Sequence, residues 1–328
     1  MAETPFVYWK HPDKTEIFTI AEPQLKKLKI PLVSEEGFLL FPYLKSETGY
    51  LISGKIEQTL SPVFPDITIK TTNTDDPKSS NDYIPLVENA VKKIRDGDFD
   101  KVVIARSIVE SLPENFNLNL FFNKLCESYS QAFVYCIGFE NEIWVGATPE
   151  VLLKKESDSF LTYALAGTKQ INPELSFGKK EKDEQQFVKN YIIDLLKNHS
   201  ASSIEISEVS ELNTGNLIHL FNEIRFKTTN TLDVINSLHP TPAVCGTPLK
   251  QAAAFITNYE NLEREFYSGF LGPVFINQDF SFWVNLRCGK ITNNTIKFFA
   301  GAGIVKDSKA EAEWLETERK IDTLRRLL

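Results

Sequence analysis

The sequence predicts an α+β fold built on large antiparallel sheets. Three observations point there. Apolar runs with strand spacing fill the first eighty residues and recur near the carboxyl end, helical periods interrupt them irregularly, and no internal repeat imposes a regular βαβ order. With 328 residues, 42% of them hydrophobic, and 24 phenylalanines against one methionine, the chain has ample material for one large domain or two closely joined halves.

Taken in order, EGFLLFPYL and GYLISGKI lie between Pro, Gly and charged turns and read as strands with one half-buried face. TTNTDDPKSSND is the one linker-like stretch. In PLVENAVKKIRDGDFDKVVIARS the period changes. Val87, Val91 and Ile94 have helical spacing, Gly97 stops the helix, and Val102 to Ala105 form a strand with Lys101 at its entrance. NLFFNKLCESY reads as a helix, AFVYCIGFENEIWVGATPE as two strands around a Glu-Asn-Glu turn, and SFLTYALAGTK as a further strand. Amphipathic helices are predicted over 178–198 and 211–224. After the proline-rich loop HPTPAVCGTP comes a helix through KQAAAFITNY. Strands through FYSGFLGPVFI, FSFWVNLRCG and TIKFFAGAGIV then lead, by way of a glycine-rich turn, to the final helix.

Composition narrows the function. A net charge of -8 with no basic stripe excludes a nucleic-acid surface but leaves room for a small anion held by local cations. Cys126, Cys136, Cys245 and Cys288 show no C-x-x-C spacing, which fits a reducing compartment. MAETPFVYWK lacks the plan of a secretory signal, and nowhere do 18 apolar residues run together. A cytoplasmic, soluble protein without membrane contact is expected.

The candidate chemistry sits on helices and strand ends. On the last helix Glu313, Glu316 and Lys320 fall within an arc of roughly 60°, beside the apolar stripe of Trp314, Ile321, Leu324 and Leu328. Glu316 and Lys320 fit an ordinary i,i+4 pair on a solvated face equally well. In KKEKDEQQFVKNYIIDLL, however, Glu181 and Glu184 extend the face formed by Val188, Tyr191, Ile192 and Leu195, and carboxylates aimed at a core call for a partner. Two helices that each offer an i,i+3 pair of acids suit a hard divalent cation such as Mg²⁺.

Lys101 and Glu150 stand at strand ends, where burial would shift them toward base and acid roles and where flanking charges are also common. Arg287, between apolar neighbours in WVNLRCG, calls for an anion, whether a structural carboxylate or a ligand. Gly301 and Gly303 lack the third glycine and the lysine of a phosphate loop, so they indicate close backbone approach to a ligand or helix. His219, placed in a helix, reads as a core histidine, and His239 as a loop residue.

Together KVVIARS, VGATPE, ALAGT, HPTPAVCGTP, FYSGFLGPV, VNLRCG, FAGAGIV and AEWLETERK resemble, in order, the chorismate-utilising enzymes. This group contains isochorismate, salicylate, anthranilate and aminodeoxychorismate synthases. The resemblance covers roughly residues 85–328, a chorismate-binding catalytic region, with 1–84 as amino-terminal strands of the same, shortened domain. It implies two large antiparallel β-sheets packed on each other with helices outside. It also implies Mg²⁺ on Glu184 and Glu316, with Glu181 and Glu313 as nearby or water-mediated partners, and Lys320 balancing the substrate's charge. Lys101 would activate water for attack on ring carbon 2, and Glu150 would protonate the departing 4-hydroxyl. Tyr267 and Arg287 would hold the enolpyruvyl carboxylate, the Gly167 to Thr168 turn and Gly303 would supply backbone donors, and His219 would lie near the ring.

Within the group the sequence most resembles isochorismate synthases. Anthranilate synthases tend to carry glutamine at the place of Lys101, aminodeoxychorismate synthases a lysine at the place of Ala166, and salicylate synthases often a threonine at the place of Ala243. The implied activity is isomerisation of chorismate, in menaquinone or siderophore synthesis, by a monomer without a glutamine amidotransferase partner. A salicylate synthase and a non-catalytic chorismate-binding subunit are the alternatives. One departure stands beside the implied metal ligand: the family's helix usually reads Glu-His, whereas here Glu184 is followed by Gln185.

Overall fold

A computed structural model describes residues 4–31, 34–64, 80–170, 176–213 and 217–328. The amino-terminal part contributes β1 (Phe6–Lys10), β2 (Ile17–Leu28), β3 (Gly37–Phe41) and β4 (Gly49–Thr59). Next come α1 (Ser80–Arg95), β5 (Lys101–Ser111), α2 (Leu118–Ser128), β6 (Phe133–Phe139), β7 (Glu142–Thr148), β8 (Val151–Glu156) and β9 (Ser159–Gln170). The middle holds α3 (Lys179–Asn198), β10 (Ser202–Ile206), β11 (Ser210–Asn213), β12 (Leu217–Lys227), α4 (Thr231–Leu238), β13 (Gly246–Thr247) and α5 (Leu249–Tyr259). The chain ends with β14 (Phe270–Val274), β15 (Phe280–Val284), β16 (Cys288–Thr292), β17 (Thr295–Ile304) and α6 (Ala310–Arg325).

The seventeen strands form one antiparallel ribbon. Its path runs β13-β5-β17-β16-β7-β6-β1-β2-β4-β3-β14-β15-β8-β9-β12, and β10 and β11 share the outer side of β12. The two expected sheets are the two halves of this ribbon folded face to face. β2 carries the chain between them. It pairs with β1 only at Ile17 to Thr19, and its register against β4 shifts between Ala21 and Gln24, where Glu22 has φ 47° and Pro23 lacks an N–H.

Strand periodicity explains why the halves stick. In β3, Phe38 and Leu40 point between the layers while Leu39 and Phe41 point to the helices, so every position of GFLLF is buried. Trp9, Phe133, Trp144 and Phe299 meet Phe38, Leu271 and Trp283 in the interlayer core. Phe133 stacks on Trp283 at 5.2 Å and Trp9 packs on Phe38 at 5.1 Å. Helices α3 and α4 cover the outer face of the β9–β12 half. Helices α1 and α5 and the start of α6 cover β5 and β17, and α2 with the end of α6 covers β6 and β7.

Three local expectations need correction. The predicted helix over 211–224 is strand, so His219 lies in β12, hydrogen-bonded between β9 and β11. Leu220 and Ile224 are four apart, a spacing compatible with one helical turn and with two pleats, and the long-range partner β9 decides between them. AGAGIV ends strand β17, in line with the strand reading of TIKFFAGAGIV and against the glycine-rich turn. Gly167 is likewise no turn but the extra residue of a bulge in β9, between Ala166 opposite Leu220 and Thr168 opposite His219. The linker-like stretch lies outside the described residues except for Ser80 to Asp82, which open α1.

Trp283→Ala should remove about 3–5 kcal/mol through the interlayer cavity it leaves. The loss should appear as a lower urea midpoint at unchanged slope, whereas Leu60→Ala, at a fully exposed position, should leave the midpoint where it is.

Candidate active site

Lys101 enters β5 between β13 and β17, and its side chain lies across Gly303. A Cβ at Gly303 would stand 2.9 Å from Lys101 Cε and 3.4 Å from Nζ, and one at Gly301 would stand 3.0 Å from the Tyr267 hydroxyl. Two glycines one pleat apart therefore make a bare floor on which Lys101 and Tyr267 rest. The tyrosine ring also stacks on Phe299 at 5.4 Å, and its burial raises the phenol's pKa, so the hydroxyl keeps its proton.

Glu150 follows Pro149 at the corner between β7 and β8 and is 4% exposed. Burial pushes its pKa up to about 7, against the opposing pull of a hydrogen bond from Thr241 Oγ1 at 3.3 Å and of the ammonium groups of Lys101 and Lys320. Those two lysines thus face the same carboxyl from β5 and from α6. Lys320 also donates to the carbonyl of Gly301 at 2.8 Å, which lays α6 along the glycine end of β17.

Each lysine holds one of the helix carboxylates. Lys101 Nζ is 2.6 Å from Glu184 on α3, and Lys320 Nζ is 2.8 Å from Glu316 on α6. Glu184 and Glu316 are thus the counter-charges of the two lysines that act on Glu150. Glu181 Oε2 accepts the backbone N–H of Gly178 at 2.9 Å and so caps α3. Glu313 is 7% exposed, and its charge, with that of Glu316, acts on the buried Tyr83. Among the described residues no three His, Cys, Asp or Glu side chains gather to hold a metal ion. Mg²⁺ commonly takes one or two carboxylates and fills its sphere with water and substrate oxygens. Glu184 and Glu316, which already turn their oxygens to cationic groups, fit that habit.

Arg287 and His219 make a second charged contact. Arg287 is buried, adopts φ 46° between β15 and β16, and donates from NH2 to His219 Nε2 at 2.8 Å. A guanidinium has no acceptor, so Nε2 carries the lone pair and the imidazole proton sits on Nδ1. Burial, then Arg287 and Lys320, hold the His219 pKa well below its ordinary value, and burial pulls Arg287 down to about 10. Thr168 pairs with His219 across the sheet, and its side chain lies outside the described residues. Gly167, at φ 74°, lets α3 approach so closely that a Cβ there would meet the Glu181 carbonyl at 2.6 Å.

Sequence reasoning located Lys101, Glu150, Glu184, Glu316, Lys320, His219 and Arg287, which the structure brings together, but missed the groups behind them. Thr241 supplies the Glu150 hydrogen bond. Glu260 and Arg264 form an ion pair with both side chains 2% exposed. Arg264 donates to the carbonyls of Val103 and Val244 at 2.8 and 2.9 Å, and Glu260 accepts from Ala105 N at 2.7 Å. This pair ties the Lys101 strand to the Thr241 loop. Its i,i+4 spacing was visible in NYENLERE, but the same spacing serves surface pairs, and burial alone marks it out.

Two lysines that act on one proton-holding carboxyl, beside a buried arginine, form a cationic cluster suited to a small anion. The profile of the chorismate binding enzymes matches residues 51–328, and the chain belongs to that family. Among its relatives, isochorismate synthase MenF of Escherichia coli (strain K12) is 30% identical over 80% of this chain and 64% of its own length. Isochorismate synthase MenF of Bacillus subtilis (strain 168) is 29% identical over 74% of this chain and 54% of its own. The matched regions thus span a little over half to just under two thirds of those relatives. The solved structure of the menaquinone-specific isochorismate synthase MenF from Escherichia coli has the same fold, with a TM-score of 0.85 at 23% identity over 100% of this chain and 89% of that one.

The raised Glu150 pKa has a stability consequence. Between the unfolded value of about 4.5 and the folded value of about 7 the folded state holds the extra proton, so stability falls as pH rises through that window. Glu150→Gln should abolish this slope. Urea unfolding should find it more stable than the wild type near pH 8, by on the order of 3 kcal/mol, with the advantage fading as pH drops toward 4.

Proposed function

We propose that this chain isomerises chorismate to isochorismate, and the observation that carries the reading is the buried, proton-holding Glu150 carboxyl under the influence of the Lys101 ammonium. Acting as the free amine, after its ammonium proton has left, Lys101 takes a proton from the water that attacks ring carbon 2. Glu150, neutral below about pH 7, gives its proton to the 4-hydroxyl, which leaves as water while the electron pair moves through the ring's double bonds. One hydroxyl is gained and one lost, so the product is an isomer. Tyr267 and Arg287 grip the enolpyruvyl carboxylate, Gly303 leaves room beside Lys101, and His219 keeps Arg287 aimed through its Nε2. Glu184 and Glu316 would hold Mg²⁺, whose contribution there is to offset the ring carboxylate's charge and draw electron density through it as the hydroxyl departs. The MenF relatives favour the menaquinone branch, and the chain works as a monomer in the cytoplasm without an amidotransferase. No helix among the described residues is long and apolar enough to cross a membrane.

Purified protein incubated with chorismate and Mg²⁺ should yield isochorismate, resolved by chromatography, with no pyruvate, and EDTA should stop the conversion. Pyruvate together with salicylate would instead establish a lyase, and a folded but inactive protein would establish a binding subunit.

Lys101→Ala and Glu150→Gln should each lower kcat by about 10²- to 10⁴-fold. Wild-type kcat should decline as pH rises through about 7, where Glu150 loses its proton, and this limb should vanish from the residual activity of Glu150→Gln. Unchanged turnover in either variant, with the fold intact, would remove the assigned roles.

A further inference from the structure

Gln185, the departure from the family's Glu-His pattern, is 2% exposed on α3 directly after Glu184. Its Nε2 donates to Oδ1 of Asn222, which is also 2% exposed and lies on β12 three residues beyond His219. Asn222 Nδ2 in turn donates to the carbonyl of Ser207 at 2.7 Å. Ser207 is held from both sides, its N–H on the carbonyl of Glu223 at 3.0 Å and its hydroxyl taking the N–H of Glu223 at 3.0 Å.

This chain of amides has a single polarity. A main-chain carbonyl only accepts, so Asn222 must turn its NH₂ to Ser207 and its oxygen to Gln185, and Gln185 must then present its NH₂. A side chain at this place that cannot donate leaves a buried acceptor unpaired. The relay pins the rotation of α3 at the turn that carries Glu184. The close approach of Gly167 to Glu181 seats the turn before it. The same relay grips β12, the strand that presents His219 to Arg287.

The geometry points to Gln185 and Asn222 as a positioning pair that aims the Glu184 carboxylate at Lys101. Its catalytic consequence rests on the function proposed above. Its structural consequence does not.

Crystal structures and kinetics of three variants test it. Gln185→Glu keeps the shape and, as the carboxylate, removes the donor. It should open the Lys101–Glu184 contact from 2.6 Å to beyond 4 Å and lower kcat and Mg²⁺ affinity by roughly 10- to 100-fold, with little change in the KM for chorismate. Asn222→Ala, which removes the acceptor, should give the same displacement and serves if the first variant does not fold. Gln185→His, which restores a donor, should keep both the contact and the activity. A Gln185→Glu or Asn222→Ala protein that melts earlier yet keeps the contact and the wild-type kcat would overturn the proposal and leave the pair merely structural. If the wild type itself does not turn over chorismate while the contact still opens in Gln185→Glu, the functional reading fails and the positioning role stands.

Discussion

Everything at this site depends on placing a lysine ammonium within reach of a nearly inaccessible carboxyl without letting them neutralise each other. A buried carboxyl beside two ammonium groups would ordinarily ionise, and burial would ordinarily strip a lysine of its charge. Here the competing effects are separated in space. Lys101 finds its counter-charge on α3 in Glu184, Lys320 finds one on α6 in Glu316, and Glu150 is left with a threonine hydroxyl and a pKa near 7. Burial of Glu150 thus outweighs the pull of both ammonium groups and keeps its proton in place.

The folded ribbon makes that separation possible. Lys101 comes from β5 in one half and Glu150 from the corner where β7 leads into β8, a strand of the other. The aromatic interlayer core holds the two halves at a fixed spacing, and Gly301 and Gly303 give up their side chains so that Lys101 and Tyr267 can lie flat on β17. The Glu260–Arg264 pair then ties the Lys101 strand to the loop bearing Thr241, and the Gln185–Asn222 relay ties Glu184's helix to β12. A net negative protein can in this way hold a local cluster of cations.

Much of the fold was legible residue by residue because strand and helix periods differ. GFLLF, FVYCIGF and the heptad-like spacing of Val87, Val91 and Ile94 were assigned to the right elements. The failure at 211–224 came where the pattern satisfied both periods, and pairing of β12 with β11 in the same stretch and with the distant β9 settled the matter. The site was legible in its charged members, since lysine, glutamate and arginine at strand ends and on apolar helix faces are costly unless they are used. Thr241, Asn222 and Ser207 were not, because a hydroxyl, an amide and a carbonyl carry no such penalty until burial imposes one.

The sequence by itself determined the α+β class, the family motifs, the two acidic helix faces and the identities of Lys101 and Glu150. Tertiary structure alone decided that two sheets are one ribbon, that the glycines of AGAGIV make a floor, that each lysine takes a different glutamate, and that Gln185 has a partner. The physical reason is that composition and period are local properties of the chain, whereas burial, desolvation and hydrogen-bond polarity arise only when distant segments meet.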